Sequence, residues 1–386
     1  MKDITDKKIG IIGGGQLGKM MILEAKKMDF EVVILDPTPH CPAHSIADEQ
    51  IVADFSNGEA IKELASWVDV LTYEFEHINT EALKELKKEG EEVYPLPWSL
   101  ERIQNKYEQK QLLKEEEVLV PEFIKITNLE DLKQAAKKLG LPLMLKSCTG
   151  GYDGKGNVLI KEERDLKAGF KELDGLNRLL MAEEHIPFER ELSALVCRGI
   201  KGDSIVYPIG ENKHEESILL KSSLPAQISE KLEEKARQLA VKVADIFSAV
   251  GIFCIELFQV GDKLLVNEIA PRPHNSGHYT IEGSRTSQFE NHIRAITGLP
   301  LGSTELISPV VMRNILGEDK KGRAYVEGLE AALNIEGVNV HIYGKKKSYH
   351  QRKMGHLTAV ADSLDKAEEK AKKAKEQIKI TGKGVD

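Results

Sequence analysis

The sequence is poor in several features that would otherwise settle its class. Its 386 residues hold only four cysteines, Cys41, Cys148, Cys197 and Cys254, far apart and without a CxxC pair. That argues against a structural zinc site and against a disulfide framework. No apolar run approaches the roughly 20 residues that span a bilayer, so no membrane partner is expected. The start, MKDITDKKIGIIGGG, runs straight into a strand without an apolar signal core, and the expected location is the cytoplasm. An excess of positive charge is also lacking. The net charge of −8 argues against a general nucleic-acid binder, although local basic sites for a phosphorylated small molecule stay open. There is no internal repeat, no low-complexity linker, no P-loop spacing and no kinase-type catalytic loop.

What remains is a chain of ordinary globular composition, 41% hydrophobic and 30% charged, long enough for two or three domains. Residues 8–12 read as a buried strand, followed by GGGQLG, a helix over 17–28 and a second strand over 31–35. Gly13, Gly15 and Gly18 fit G-x-G-x-x-G, and Asp36 lies where a ribose-binding acid would. A nicotinamide or flavin enzyme is therefore one reading, but a helix N-terminus behind such a loop binds any phosphate. The unit repeats, and a strand over 68–73 ends in Glu74 and Glu76. These face a ligand crevice or cap the next helix, and capping is the expectation for Glu76.

A second module opens with a charged helix expected over 102–117, carrying Lys106. The strand around Lys146 runs into GGYDGKGN, where Gly150, Gly151, Gly154 and Gly156 alternate with Tyr152, Asp153 and Lys155. Glycine lets backbone N–H groups approach a ligand, so this loop cradles a polyphosphate or else is a surface hairpin turn. An amphipathic helix is expected over 228–250, stopped by Gly251. A hairpin follows. With a turn at 261–263, Glu256 falls opposite Glu268 among apolar neighbours. Opposed carboxylates destabilise a strand pair unless a cation sits between them, and oxygen ligands suit Mg²⁺ bound with phosphate. A small third module ends in a Lys/Glu/Ala helix over 364–377, and Lys345, Lys346 and Lys347 read as a solvated turn.

This order of parts resembles the ATP-grasp superfamily. The wording is closer still to its ligases that carboxylate 5-aminoimidazole ribonucleotide in purine biosynthesis. The resemblance rests on IGIIGGGQLGKMM, YEFEHI, GGYDGKGN, EEHIPFERELS, NEIAPRPHNSGHYT and RKMGH, and covers almost the whole chain. It implies an α/β fold in three domains. These are an N-terminal doubly wound parallel sheet (1–100), an ATP-grasp domain with antiparallel sheets (101–299) and a small C-terminal α+β domain (300–386). It implies that ATP meets Lys106, Lys146, Gly151, Gly154, Gly156, Asn157, Glu183, Glu184, Ile186, Glu191, His214 and Asn267. Mg²⁺ would be held by Glu256 and Glu268. Tyr152, Asp153, Lys155, Arg272 and His274 would surround the reacting bicarbonate and amine. Gln16, Leu17, Glu74, Asn275, Ser276, Arg352 and Lys353 would hold the ribonucleotide. A homodimer is expected. Cys148 reads as incidental. Three alternatives stay open: another ATP-grasp ligase, an NAD-dependent oxidoreductase, and a silent nucleotide-binding regulator.

Overall fold

Continuous apolar runs flanked by amphipathic helices build the first domain. In the computed structural model, which describes residues 4–151 and 156–384, its parallel strands lie in the order Glu49–Ile51, Glu31–Leu35, Lys8–Ile12, Val70–Tyr73. Both faces are covered, which is why the strands do not alternate with polar residues. Ile9, Ile11 and Ile34 pack on Leu17 and Met21 of the helix Gln16–Lys27, and Val33 and Leu35 pack on Leu64 and Leu83 on the other side. The helix Gln288–Thr297 closes the first face with Phe289 and Ile293. Its His292, fully buried, bridges Thr72 Oγ1 at 2.8 Å and the Ile252 amide at 3.1 Å, tying the first domain to the central one.

The central domain holds two antiparallel sheets. The smaller runs Phe123–Ile126, Leu180–Glu184, Leu143–Ser147, Asn157–Ile160. The larger is a nine-stranded sheet whose main path is Lys263–Ala270, Gly251–Val260, Arg190–Arg198, Gly210–Glu215, Ile218–Leu224, Val310–Leu316, Lys353–Val360, Val338–Ile342. Three strands of the third module thus extend the central sheet. Gly322–Glu327 and Lys379–Lys383, which the sequence did not suggest, form a separate three-stranded sheet with Lys347–Ser348. The helix Leu364–Gln377 falls where expected.

Three expectations need correction. The charged helix over 102–117 is two helices, Pro97–Gln104 and Lys106–Glu115. Asn105 breaks it by taking an extended conformation and accepting from the Tyr107 and Glu108 amides, an N-cap stronger than helix propensity. The long amphipathic helix is Glu230–Ile246 and does not reach Gly251. Ser248 turns left-handed at φ 46, and Ala249 N–H closes the end on Ala244 O at 2.8 Å. Glu76 does not cap the helix Thr80–Glu89, because Asn79 does.

Among the described residues no helix is long and apolar enough to cross a membrane.

Candidate active site

The hairpin brings its two acids together by a different route from the one expected. Its turn is the two-residue Gly261-Asp262, so Val260 pairs with Lys263 and Leu257 with Val266. That register alone would set Glu256 against Asn267. A bulge intervenes, and Glu256 faces Glu268. Two residues, Asn267 and Glu268, thus stand against one, and both line the same cleft as Glu256.

That cleft, about 790 Å³, lies between the two central sheets and the first and third modules. One stretch of its wall collects Lys146, Gly151, Asn157, Glu183, Glu184, Ile186, Glu191, His214 and Asn267. Lys106 does not line it, yet its ammonium pairs with Glu268. Gly156 stays behind the wall, accepting from the Ser147 amide at 2.8 Å. His214, a surface residue when read without the resemblance, is largely buried and bonded through Nδ1 to Glu191 Oε2 at 2.8 Å. Phe188 and Phe258 stack at 4.7 Å with planes 3° apart and form an apolar plate on the cleft wall.

Arg272 and His274 also line it. Arg272 pairs with Glu76 at 2.8 Å, so Glu76 orients the guanidinium. His274 Nδ1 meets Ser276 Oγ at 2.9 Å, and Ser276 is fully buried away from the cleft. Ser276 therefore holds His274 and lines no wall. Burial, with Arg272 and Lys353 nearby, pushes His274 well below its usual range, so it works as a neutral imidazole. Asn275, also on the cleft, exchanges side-chain hydrogen bonds with Asn314 at 3.0 and 2.6 Å.

The same cleft is lined by Gln16, Leu17, Glu74, Arg352 and Lys353. Lys345 joins them and donates to Lys353 O at 2.8 Å, so it is not in a merely solvated turn. The dinucleotide fingerprint is occupied from within. Glu74 takes the Gly15 and Gly18 amides, and a Cβ at either glycine would collide with that loop or with Glu74. Asp36 accepts from Gly14 and Thr38 amides, bracing the loop instead of facing a ribose. The oxidoreductase reading loses both of its supports. Tyr152, Asp153, Gly154 and Lys155 lie outside the described residues.

The charges explain themselves. Burial raises the Glu256 carboxyl, and Glu268 raises it further, against His214 and Lys106. Burial also opposes ionisation of Glu268, but Lys106, Lys146 and Lys110 outweigh it and hold that carboxyl down. Glu256 is thus an ill-compensated acid facing an ionised one. That is what a Mg²⁺ ion would relieve, and the donors are oxygen only. No group of three or more His, Cys, Asp or Glu is gathered for a metal among the described residues, so the remaining ligands would be phosphate and water. Cys148 is fully buried with its thiol pushed up to about 11, which leaves it no role as a nucleophile.

Sequence reading missed Lys110. Its position four residues after Lys106 on one helix was the available signal. Lys110 is 1% exposed and lies 2.8 Å from Glu183 Oε2. Burial lowers it to about 8, more than Glu183 raises it. Between about 8 and the ordinary 10.5 the unfolded chain therefore binds a proton that the folded chain does not. Stability contributed at this position should rise with pH across that window, and Lys110→Met should remove the rise in denaturation midpoints measured from pH 7.5 to 10.

Comparison with known proteins agrees with this geometry. Residues 6–104 match the ribonucleotide synthetase preATP-grasp domain, 111–289 the ATP-grasp domain and 310–370 the phosphoribosylaminoimidazole carboxylase C-terminal domain. The chain is 42% identical over 361 residues to the N5-carboxyaminoimidazole ribonucleotide synthase of Bacillus subtilis, covering 92% of each. The crystal structure of N5-carboxyaminoimidazole ribonucleotide synthetase from Thermotoga maritima superposes with a TM-score of 0.90 at 47% identity, covering 98% of this chain and 100% of that one. The Aspergillus clavatus synthase, crystallised with ADP and 5-aminoimidazole ribonucleotide, gives 0.89 at 34%, covering 96% and 98%. The chain belongs to the N5-carboxyaminoimidazole ribonucleotide synthase family of ATP-grasp ligases.

Proposed function

We propose that the protein uses ATP and bicarbonate to carboxylate the exocyclic amine of 5-aminoimidazole ribonucleotide, in purine biosynthesis. The products are N5-carboxyaminoimidazole ribonucleotide, ADP and phosphate. One observation carries the reading. A single cleft is lined by Lys146, Glu256 and Glu268 together with Arg272, His274, Arg352 and Lys353.

In this reading a bicarbonate oxygen attacks the γ-phosphorus, ADP leaves, and carboxyphosphate forms. The amine then attacks its carboxyl carbon and phosphate departs. Lys106 and Lys146 hold the nucleotide phosphates, where developing charge is stabilised by fixed cations. Glu256 and Glu268 would hold Mg²⁺, which when bound screens the γ-phosphate as an anion approaches. Arg272, held by Glu76, presents its fork to bicarbonate. Neutral His274 can accept or pass the amine proton. Arg352 and Lys353 take the ribonucleotide phosphate, and Tyr152, Asp153 and Lys155 contact the second substrate. A homodimer belongs to the same reading and is checked by light scattering.

The test is phosphate release from ATP in bicarbonate buffer. Aminoimidazole ribonucleotide should stimulate it, and no stimulation would refute the reading. Lys353→Ala should raise the KM for the ribonucleotide by about tenfold with kcat little changed, the mark of lost ground-state binding. An unchanged KM removes Lys353 from the phosphate site.

A further inference from the structure

The cluster around Lys146 contains one cation that the reaction does not use directly. Lys110 is 1% exposed and off the cleft lining, more deeply sealed than Lys106, whose side chain is 14% exposed. The Lys110 Nζ lies 2.8 Å from Glu183 Oε2 and donates to Val266 O at 3.3 Å. The other oxygen, Glu183 Oε1, accepts from Lys146 Nζ at 2.5 Å. Lys146 reaches on to Asn267 Oδ1 at 3.4 Å. Glu183 is 2% exposed, and its carboxyl is held down to about 2, burial being outweighed by Lys110 and Lys146.

We propose that Lys110 is a positioning residue for Lys146. By taking one oxygen of Glu183 it divides that carboxylate between two lysines, and Lys146 stays free to turn to a nucleotide phosphate. The inference rests on the reading of Lys146 as a phosphate ligand.

The argument is one of charge balance in a place of low dielectric. A one-to-one Lys146–Glu183 pair would be self-neutralising and closed, and its ammonium would be nearly silent toward an arriving anion. With Lys110 present, two ammonium groups share one carboxylate, and the trio keeps a net positive charge. Lys106, Lys146 and Lys110 all act on Glu268 as well, so three ammonium groups face the two carboxylates Glu183 and Glu268, and one positive charge is left over. That surplus is turned to the cleft, because Lys110 is sealed behind the wall and Lys146 lines it. A purely structural Lys110 would fill space and brace Glu183, and would leave nucleotide affinity alone once the fold was intact.

Three proteins separate these roles: wild type, Lys110→Met and Lys110→Arg. ADP binding is measured by calorimetry, and KM and kcat by phosphate release with all three substrates. Lys110→Met should weaken ADP binding and raise the ATP KM by about tenfold, within the range of coupling between touching charged groups, and leave the ribonucleotide KM within about twofold. Lys110→Arg, which keeps a second cation on Glu183, should stay within about threefold of wild type. Nucleotide affinity unchanged in Lys110→Met, or a Lys110→Arg variant as weak as Lys110→Met, overturns the proposal. If Lys110→Met melts below the assay temperature, Lys110→Gln, which keeps a donor without the charge, takes its place, and an unchanged ADP affinity in it overturns the proposal. Wild-type protein that binds ADP but shows no ribonucleotide-stimulated turnover refutes the proposed reaction alone, and the ADP arms still read Lys110.

Discussion

Replacing Glu268 by glutamine is expected to reduce turnover by about 10²–10³-fold, the scale seen when one preorganised electrostatic group is removed from a transition state. The change is isosteric, so the loss is of charge. Glu268 is the acid that the bulge sets against Glu256, and it holds Lys106. Glutamine would leave a single, reluctantly ionised carboxylate for a divalent cation and release Lys106 from its partner. ADP binding assayed with and without Mg²⁺ should show the metal dependence shrinking with kcat. Turnover within about fivefold of wild type, at saturating Mg²⁺, would remove Glu268 from the metal site.

The second large effect is on stability. Glu183→Gln is expected to cost about 3–5 kcal/mol, the usual consequence of stranding buried charge by deleting its partner. Two lysines lose their counter-ion at once, and Lys110 has nowhere else to turn but Val266 O. The pH dependence has a defined sign. Glu183 ionises at about 2 in the folded chain against an ordinary 4.5, so its contribution is complete above 4.5 and drains away as pH falls toward about 2. Chemical denaturation at pH 7 and at pH 4 should show wild type losing stability on acidification while the variant loses less. Equal losses in both would mean that Glu183 is not ionised in the native protein.

The sequence carried much of this. Strands with continuous apolar residues, glycine loops and a hairpin of opposed acids each declare themselves locally, because each depends on period or turn chemistry within a few residues. The site of Glu256 and Glu268 was legible, yet the turn and the bulge that produce it were not. The pairing of Gly251–Val260 with Arg190–Arg198 runs in unbroken register, so the bulge belongs to the edge strand Lys263–Ala270, whose alternation of residues does not announce it. Lys110 stayed hidden because its importance lies in a partner 73 positions away, Glu183, on a strand of the smaller sheet. Glu76 was read as a cap because nothing near it in sequence announces Arg272. The fingerprint Gly13, Gly15 and Gly18 misled for a related reason. Its geometry is present, but its ligand is a side chain of the same domain, Glu74.

The nine-stranded sheet has a mechanical corollary. Glu256 and Glu268 sit near one end of it and Lys353 on a strand toward the other, all within one hydrogen-bonded ladder. Stretching that span would mean breaking ladder bonds strand by strand, so the distance between the two proposed anchors behaves as the fixed arm of a caliper. The small sheet carrying Lys146 and Asn157 is outside that ladder. Its spacing from that arm is kept by side-chain contacts such as Lys146 with Asn267, and not by the ladder.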